Sequence, residues 1–559
     1  MSSTLYRGGA VHAPTVPDAT SLLVVDGVVT WLGTDDEADG LASAADEVVE
    51  LRGALVTPGF VDAHVHVLES GLHRDGVDLS GAATLADALA LVGSVAHGPD
   101  ARRLAAEGAP LAGYGWDDGS WPERRTPTRD ELDAVGGGAP VYLARLDRDA
   151  AVVSTSFAEV LGLRRLAGWR EDGLVTGTAH EVARDALLDV APARRDRLYR
   201  EVLEVAARSG VVSVHEQSAP RSDTRAGLAR LLELTVDPAG GLPLVVGYRA
   251  ELCETTDDAR AVRAAVPGLT GVGGDLRMDG SIGARTAALR SRYTDAPTGA
   301  EHPAGRLDLS AEQVSNHVAA VTRAGLQAGF HVIGDRAMDE VLLGFRAAAD
   351  VEGIDGLRRA GHRLEHATML DAPALATAVL LGLTCSVQPA FDAAWGGPDG
   401  RYAARLGRGR AASLTPVADL VAAGVPVALG SGSPVTSLDP WTGVRAAVRH
   451  RTPDQRVSVR AAMAAATRGG WLAAGRGGDG AGELRVGAPA HLAVWEVDRD
   501  AAAAVMADAA GGAAEARPAW HAYGTDRPDP VLPALAEGEA APRCVRTVRD
   551  GVVLHDTLG

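Results

Sequence analysis

The chain has 559 residues with 54 basic against 73 acidic side chains, a formal net charge of -19, which argues against a nucleic-acid partner or an anionic membrane surface. Every basic residue is arginine, and no lysine occurs anywhere. The length exceeds one simple core and predicts a catalytic domain of roughly 350 to 420 residues with a smaller companion.

The N-terminal stretch from Met1 to Gly9 lacks the basic segment and apolar core of a secretory signal. Short alternating strands follow. Leu22 to Val25 and Val28 to Leu32 flank Asp26-Gly27, a strong hairpin signal. The far end of the chain repeats the pattern, with Asp550-Gly551 between Val545 to Arg549 and Val552 to Leu554, after a strand-like Ala490 to Trp495. Two β-rich ends predict one small sheet domain made jointly by residues 1–57 and 485–559.

Residues 58–484 alternate helical and strand-like stretches, as βα units around a parallel sheet do. The run from Leu55 to His66 reads as a buried strand ending in His64 and His66. Side chains alternate along a strand, so these two histidines share a face and can close on one metal ion. Residues 69–187 are irregular and read as an insertion that helps to roof the site. Helical spacing at 196–207 and 311–324 precedes strands at Val211 to Glu216 and Gln327 to Ile333. Further strands are expected at Arg363 to His366, Thr384 to Gln388 and Val425 to Ser431. The span 498–539 reads as a loose loop or helix, or a disordered surface excursion.

Cys253, Cys385 and Cys544 are far apart with no Cys-x-x-Cys spacing, which excludes a thiolate zinc site and a disulfide framework and suggests a reducing cytoplasm. No run approaches the roughly 20 apolar residues of a membrane span. A small-molecule substrate fits this chain best, and a homodimer is the common default for oligomers.

His331 and His366 also fall where barrel strands end. With His64 and His66 they make a four-imidazole set suited to Zn, Mn, Fe or Ni rather than Mg or Ca. Taken singly, either later histidine also reads as a satisfied polar core residue.

The motifs PGFVDAHVH at 58–66, GYGWDDGSW at 113–121, MDGSIGARTA at 278–287, GFHVIGDRAMD at 329–339, HRLEHA at 362–367 and GAPAHLAVWE at 487–496 together resemble amidohydrolase family 3. This is the branch of the amidohydrolase superfamily that includes N-substituted formamide deformylases. The resemblance implies a distorted (β/α)8 TIM barrel with a small β-sandwich from both chain ends. It also implies a metal-dependent hydrolase cleaving a non-peptide carbon–nitrogen bond. His64, His66, His331 and His366 match its metal ligands, for a divalent ion such as zinc, with one ion favoured and two possible.

Three departures stand out. Two-metal members often bridge their ions with a carboxylated lysine, and Asp275 stands at that position here. Its shorter carboxylate reaches a metal only if the backbone moves inward, so a single ion, or a bridge from another acid such as Glu216, is expected. Gly432, in Gly430-Ser431-Gly432-Ser433-Pro434, replaces the usual metal-binding and proton-accepting aspartate. Loss of a general base commonly costs about 100-fold to 10,000-fold in rate. Asp149 stands where relatives tend to have histidine, as a substrate contact or a solvated acid.

Glu216 and Asp279 are the candidate catalytic acids, Glu216 also reading as a structural strand-end residue. Trp116 and Arg285 are candidate substrate contacts, with a core indole and a structural ion pair as their alternatives. Two other functions stay open: an impaired enzyme that serves as a metal-containing binding protein, and an esterase-type metallohydrolase.

Overall fold

The computed structural model describes residues 2–146, 150–497, 532, 533, 535 and 538–558. Eight parallel strands form the central sheet in chain order: β1 (Phe60–Val65), β2 (Val211–Ser218), β3 (Leu244–Arg249), β4 (Gly271–Val272), β5 (Gln327–Val332), β6 (Arg363–His366), β7 (Thr384–Val387) and β8 (Val427–Leu429). A parallel bridge between Val65 and Ser433 joins the first strand to the segment after the eighth. The sheet is thereby a distorted TIM barrel.

Its strands are buried along their whole length apart from His331. Strands covered on both faces read as continuous apolar runs, which is why β1 and β2 stand out in the sequence. The expected helices run Pro192–Arg208 and Ala311–Arg323. Ser310 starts the second by accepting from the Gln313 amide while Gln313 reaches back, which satisfies two otherwise unpaired N–H groups.

Strands from both chain ends make a sheet in the order Ala10–Val11, Leu55–Pro58, Leu492–Glu496, Arg543–Arg549, Val552–Asp556. A second sheet contains Val28–Gly33, Ser21–Val25, Ser3–Arg7 and Glu47–Glu50. One apolar core takes Tyr6, Leu22, Val29, Val56, Val494 and Val545 from these two sheets, which makes them a sandwich. Both Asp-Gly pairs form their hairpins.

The chain divides into two compact units, Met1–His66 with Leu203–Pro220 and Leu228–Gly559, and Val67–Val202 with Arg221–Gly227. The second is more regular than its sequence suggests. It holds a five-stranded sheet in the order Leu174–Val175, Ala151–Val153, Val141–Arg145, Leu111–Trp116, Val77–Asp78, over its own apolar cores. Very short strands and antiparallel partners obscure the alternation that sequence reading relies on. Asp149 and nearly all of 498–539 lie outside the described residues. No helix among the described residues is long and apolar enough to cross a membrane.

Candidate metal centre

His64 on β1, His66 just beyond it, His331 on β5 and His366 at the end of β6 converge at the carboxyl ends of the strands, where barrel enzymes place their chemistry. Ring centroids lie 5.3 Å apart for His64 and His66, 4.7 Å for His64 and His366, and 4.6 Å for His331 and His366. The sequence calls for this convergence, and all four rings take part.

Asp275 sits among them. Its carboxylate oxygens lie 4.0 Å from His64 Nε2, 3.8 Å from His66 Nε2 and 3.6 Å from His366 Nε2. The inward placement that so short a side chain requires is present, and the reason is in the backbone. Gly273 and Gly274 have φ of 116° and 66°. A Cβ on Gly273 would meet the Gly329 carbonyl oxygen at 2.4 Å, and one on Gly274 would meet Gln217 Oε1 at 2.3 Å. Side-chain-free residues let β4 close on its neighbours and carry Asp275 inward. The pairing to β5 resumes just beyond, where His331 N–H donates to Leu276 O at 2.9 Å.

Burial opposes a charged Asp275, but the imidazoles, His331 foremost, hold its carboxyl well below the ordinary range. Asp275 Oδ1 and one nitrogen each of His66 and His331 are buried without a hydrogen-bond partner. An orphaned carboxylate oxygen that faces His64 Nε2 and His366 Nε2 fits a divalent cation.

Two rings are oriented from behind. His64 Nδ1 lies 2.8 Å from Glu365 Oε2, and Glu365 is also paired with Arg363. Burial works against the Glu365 charge, yet Arg363 and His64 bring its pKa down to about 2. An ionised carboxylate only accepts, so His64 Nδ1–H donates and Nε2 is left facing Asp275. His366 Nδ1–H donates to Gln388 Oε1 at 2.6 Å, with the same result. Arg363 also donates to His215 Nδ1 at 3.0 Å and to the Ala63 carbonyl at 2.8 Å. Burial and the Arg363 charge keep His215 neutral.

His366 and Ala367 have φ of 67° and 42°. Non-glycine residues in this left-handed region cost about 1–3 kcal/mol each, a strain that clusters at functional sites. Asp62 ties β1 to the end of β8, its Oδ1 accepting from Ser431 N–H at 2.8 Å, and burial pushes its pKa up to about 6.

The other sequence candidates stand elsewhere. Asp279 is fully buried, and its oxygens accept from the amides of Ala288, Ile333 and Gly334 at 2.8–3.1 Å. It latches the 279–288 loop to the end of β5, with Oδ1 3.7 Å from His331 Nδ1. Glu216 is buried on β2 and belongs to neither group of metal-competent side chains among the described residues, both of which include Asp275. Trp116 is a core residue of the second unit, its Nε1–H donating to Leu143 O at 2.9 Å.

Arg285 makes a two-pronged ion pair with Asp295 at 3.0 and 2.8 Å, which Arg405 shares. Arg285→Ala is expected to cost at most about 1 kcal/mol in a thermal melt and to leave KM unchanged. A rise in KM of about tenfold or more would instead make it a substrate clamp.

Gly432 has φ of 68°, and a Cβ there would lie 2.6 Å from Phe391 Cζ. The Phe391 ring stacks on His366 with centroids 6.1 Å apart. The ring thus fills the space an aspartate would need.

The model of the amidohydrolase family matches residues 47–555. The chain belongs to the amidohydrolase family. This amidohydrolase is 26% identical over 537 residues to the protein LONG AFTER FAR-RED 3 of Arabidopsis thaliana, a match covering 89% of this chain and 88% of that one. It is 24% identical over 522 residues to an N-substituted formamide deformylase of Arthrobacter pascens, covering 86% and 90%. Among solved structures, an uncharacterized metal-dependent hydrolase from Pyrococcus horikoshii shares 25% identity with a TM-score of 0.72, covering 89% of this amidohydrolase and 98% of that chain.

Proposed function

We propose that this amidohydrolase uses a divalent metal, most simply zinc, to hydrolyse a non-peptide carbon–nitrogen bond in a small amide, formamide or cyclic amide. The observation that carries this reading is the convergence of His64, His66, His331 and His366 on Asp275 at the strand ends. Family membership and the likeness to the formamide deformylase support it. When bound, the ion would supply Lewis acidity, activating water near neutral pH and polarising the substrate carbonyl.

The protein's own part is positioning. Glu365 and Gln388 hold the Nδ1 atoms of His64 and His366, so both rings present Nε2 without reorganising. Asp279 fixes the loop beside His331. Arg363 neutralises Glu365 in a fully buried place and braces His215.

A second reading is a weak enzyme or a metal-containing binding protein, and Gly432 with Phe391 in the vacated space favours it. A panel of N-substituted formamides, cyclic amides and esters separates the possibilities. The expected result is turnover of a formamide or amide that falls at least about 100-fold on chelation and returns with added zinc. Turnover of esters alone would replace the proposal with an esterase. No turnover by protein that retains its metal would favour the binding protein.

A further inference from the structure

A cavity of about 190 Å3 opens at the amino end of the barrel, where Pro58 passes the chain from the sandwich towards β1. A strand rises about 3.3 Å per residue, so the length of β1 sets this cavity about 20 Å from the histidines at the other end. Drug-sized ligands fill about 300–1,000 Å3. The space here therefore takes only a compact molecule.

The lining is rich in positive charge. Arg460, Arg468 and Arg485 line the cavity together with one acid, Glu483, in a chain whose net charge is -19. Glu483 holds Arg468 Nε with one oxygen and Arg485 Nε with the other, each at 3.2 Å. Neither arginine side chain makes another hydrogen bond or ion pair among the described residues. Both Nη atoms of each guanidinium are left to other acceptors. One carboxylate shared by two guanidiniums also leaves positive charge in excess, which an oxyanion would neutralise.

The backbone is shaped to bring these groups together. Gly482 has φ of 84°, and a Cβ there would meet Arg468 Cα at 2.5 Å. Gly480 has φ of 85°, and a Cβ there would lie 2.2 Å from Arg485 Nη2. Only side-chain-free residues let the loop lie on Arg468 and fold Arg485 across itself, so that both arginines reach Glu483. On the sandwich side, His12 is 7% exposed, and its main-chain N–H donates to Val56 O at 2.8 Å.

We infer that this cavity is a second ligand site, separate from the metal centre, and that it takes the carboxylate or phosphate group of a small molecule. A guanidinium presents paired N–H groups that match two oxygens of either anion. Arg468 and Arg485 supply these forks, held by Glu483 through Nε. Arg460 adds its charge from the helix Val459–Ala466. Pro58 and Met463 give the rest of the ligand an apolar wall.

The test is calorimetric titration of the full-length protein with inorganic phosphate, with succinate and with uncharged 1,4-butanediol. One anion per chain is expected to bind with a Kd of about 1 mM or tighter, while butanediol does not bind. Tighter binding of phosphate assigns the site to a phosphate group, and tighter binding of succinate to a carboxylate. Arg468→Gln and Arg485→Gln are each expected to weaken the anion at least about tenfold, with the circular dichroism of the parent retained. Arg485, whose side chain is 40% exposed, carries the test alone if Arg468→Gln does not fold. His66→Gln should bind the anion as the parent does, whereas an anion seated on the metal centre would be lost.

Binding of neither anion, equal binding of butanediol, undiminished affinity in folded Arg485→Gln, or loss of binding in folded His66→Gln would each overturn the site.

Discussion

Replacing Glu365 with glutamine is expected to lower stability by about 3–5 kcal/mol and zinc affinity by about 10- to 100-fold. Glu365 and Arg363 are both fully buried. Removing one charge leaves the other in the barrel without compensation, and that penalty exceeds the loss of the contact itself. The same substitution frees His64 Nδ1 from the acceptor that fixes its ring. A thermal melt and a zinc titration read the two effects separately. Arg363→Met with Glu365→Gln removes both charges and should recover most of the stability while zinc affinity stays low. A single variant that melts with the parent would sink the idea.

Gly432→Asp, which supplies the aspartate that the family resemblance leads one to expect there, is expected to destabilise the protein without accelerating it. The left-handed backbone costs an aspartate about 1–3 kcal/mol. Forcing its side chain against the Phe391 ring adds about 1–3 kcal/mol more. A double-mutant cycle with Phe391→Ala isolates the second part, because the cost of the aspartate should shrink once the ring is gone. A stable and faster single variant would show instead that the aspartate's place has been kept open.

What the sequence reveals follows the range of the forces involved. The hairpins at Asp26-Gly27 and Asp550-Gly551 are local events and are read directly. The buried barrel strands show as apolar runs, and histidines at their ends mark the metal-competent face. The reach of Asp275 is left conditional by the sequence because it depends on how closely Gly274, just beyond one strand, packs against Gly329 of the next. That separation is a property of the pair. For Arg285 and Trp116 the sequence leaves substrate contact and structural roles both open for a related reason, their partners Asp295 and the Leu143 carbonyl being set by tertiary folding. Gly432 is legible as a gap, whereas Phe391, 41 positions earlier in the chain, is not legible as its filling.

Glu365 was available in principle. It stands two residues from Arg363, so alternation puts both on one face of a strand with no solvent to receive them. Opposite charges side by side on a buried strand call for a polar partner inside the barrel, and His64 is that partner.

The strand Leu55–Pro58 of the sandwich runs into β1 with only Gly59 between them. It pairs with Leu492–Glu496, Trp495 Nε1–H donates to Thr57 Oγ1 at 2.9 Å, and the Trp495 ring packs edge-on against Phe60. One unbroken length of backbone is therefore gripped at one end by strands from the far end of the chain and carries His64 and His66 at the other. It acts as a lever whose fulcrum is the sandwich. A tag, truncation or fusion that loosens the C-terminal strands would alter the pitch of both imidazoles without touching the barrel.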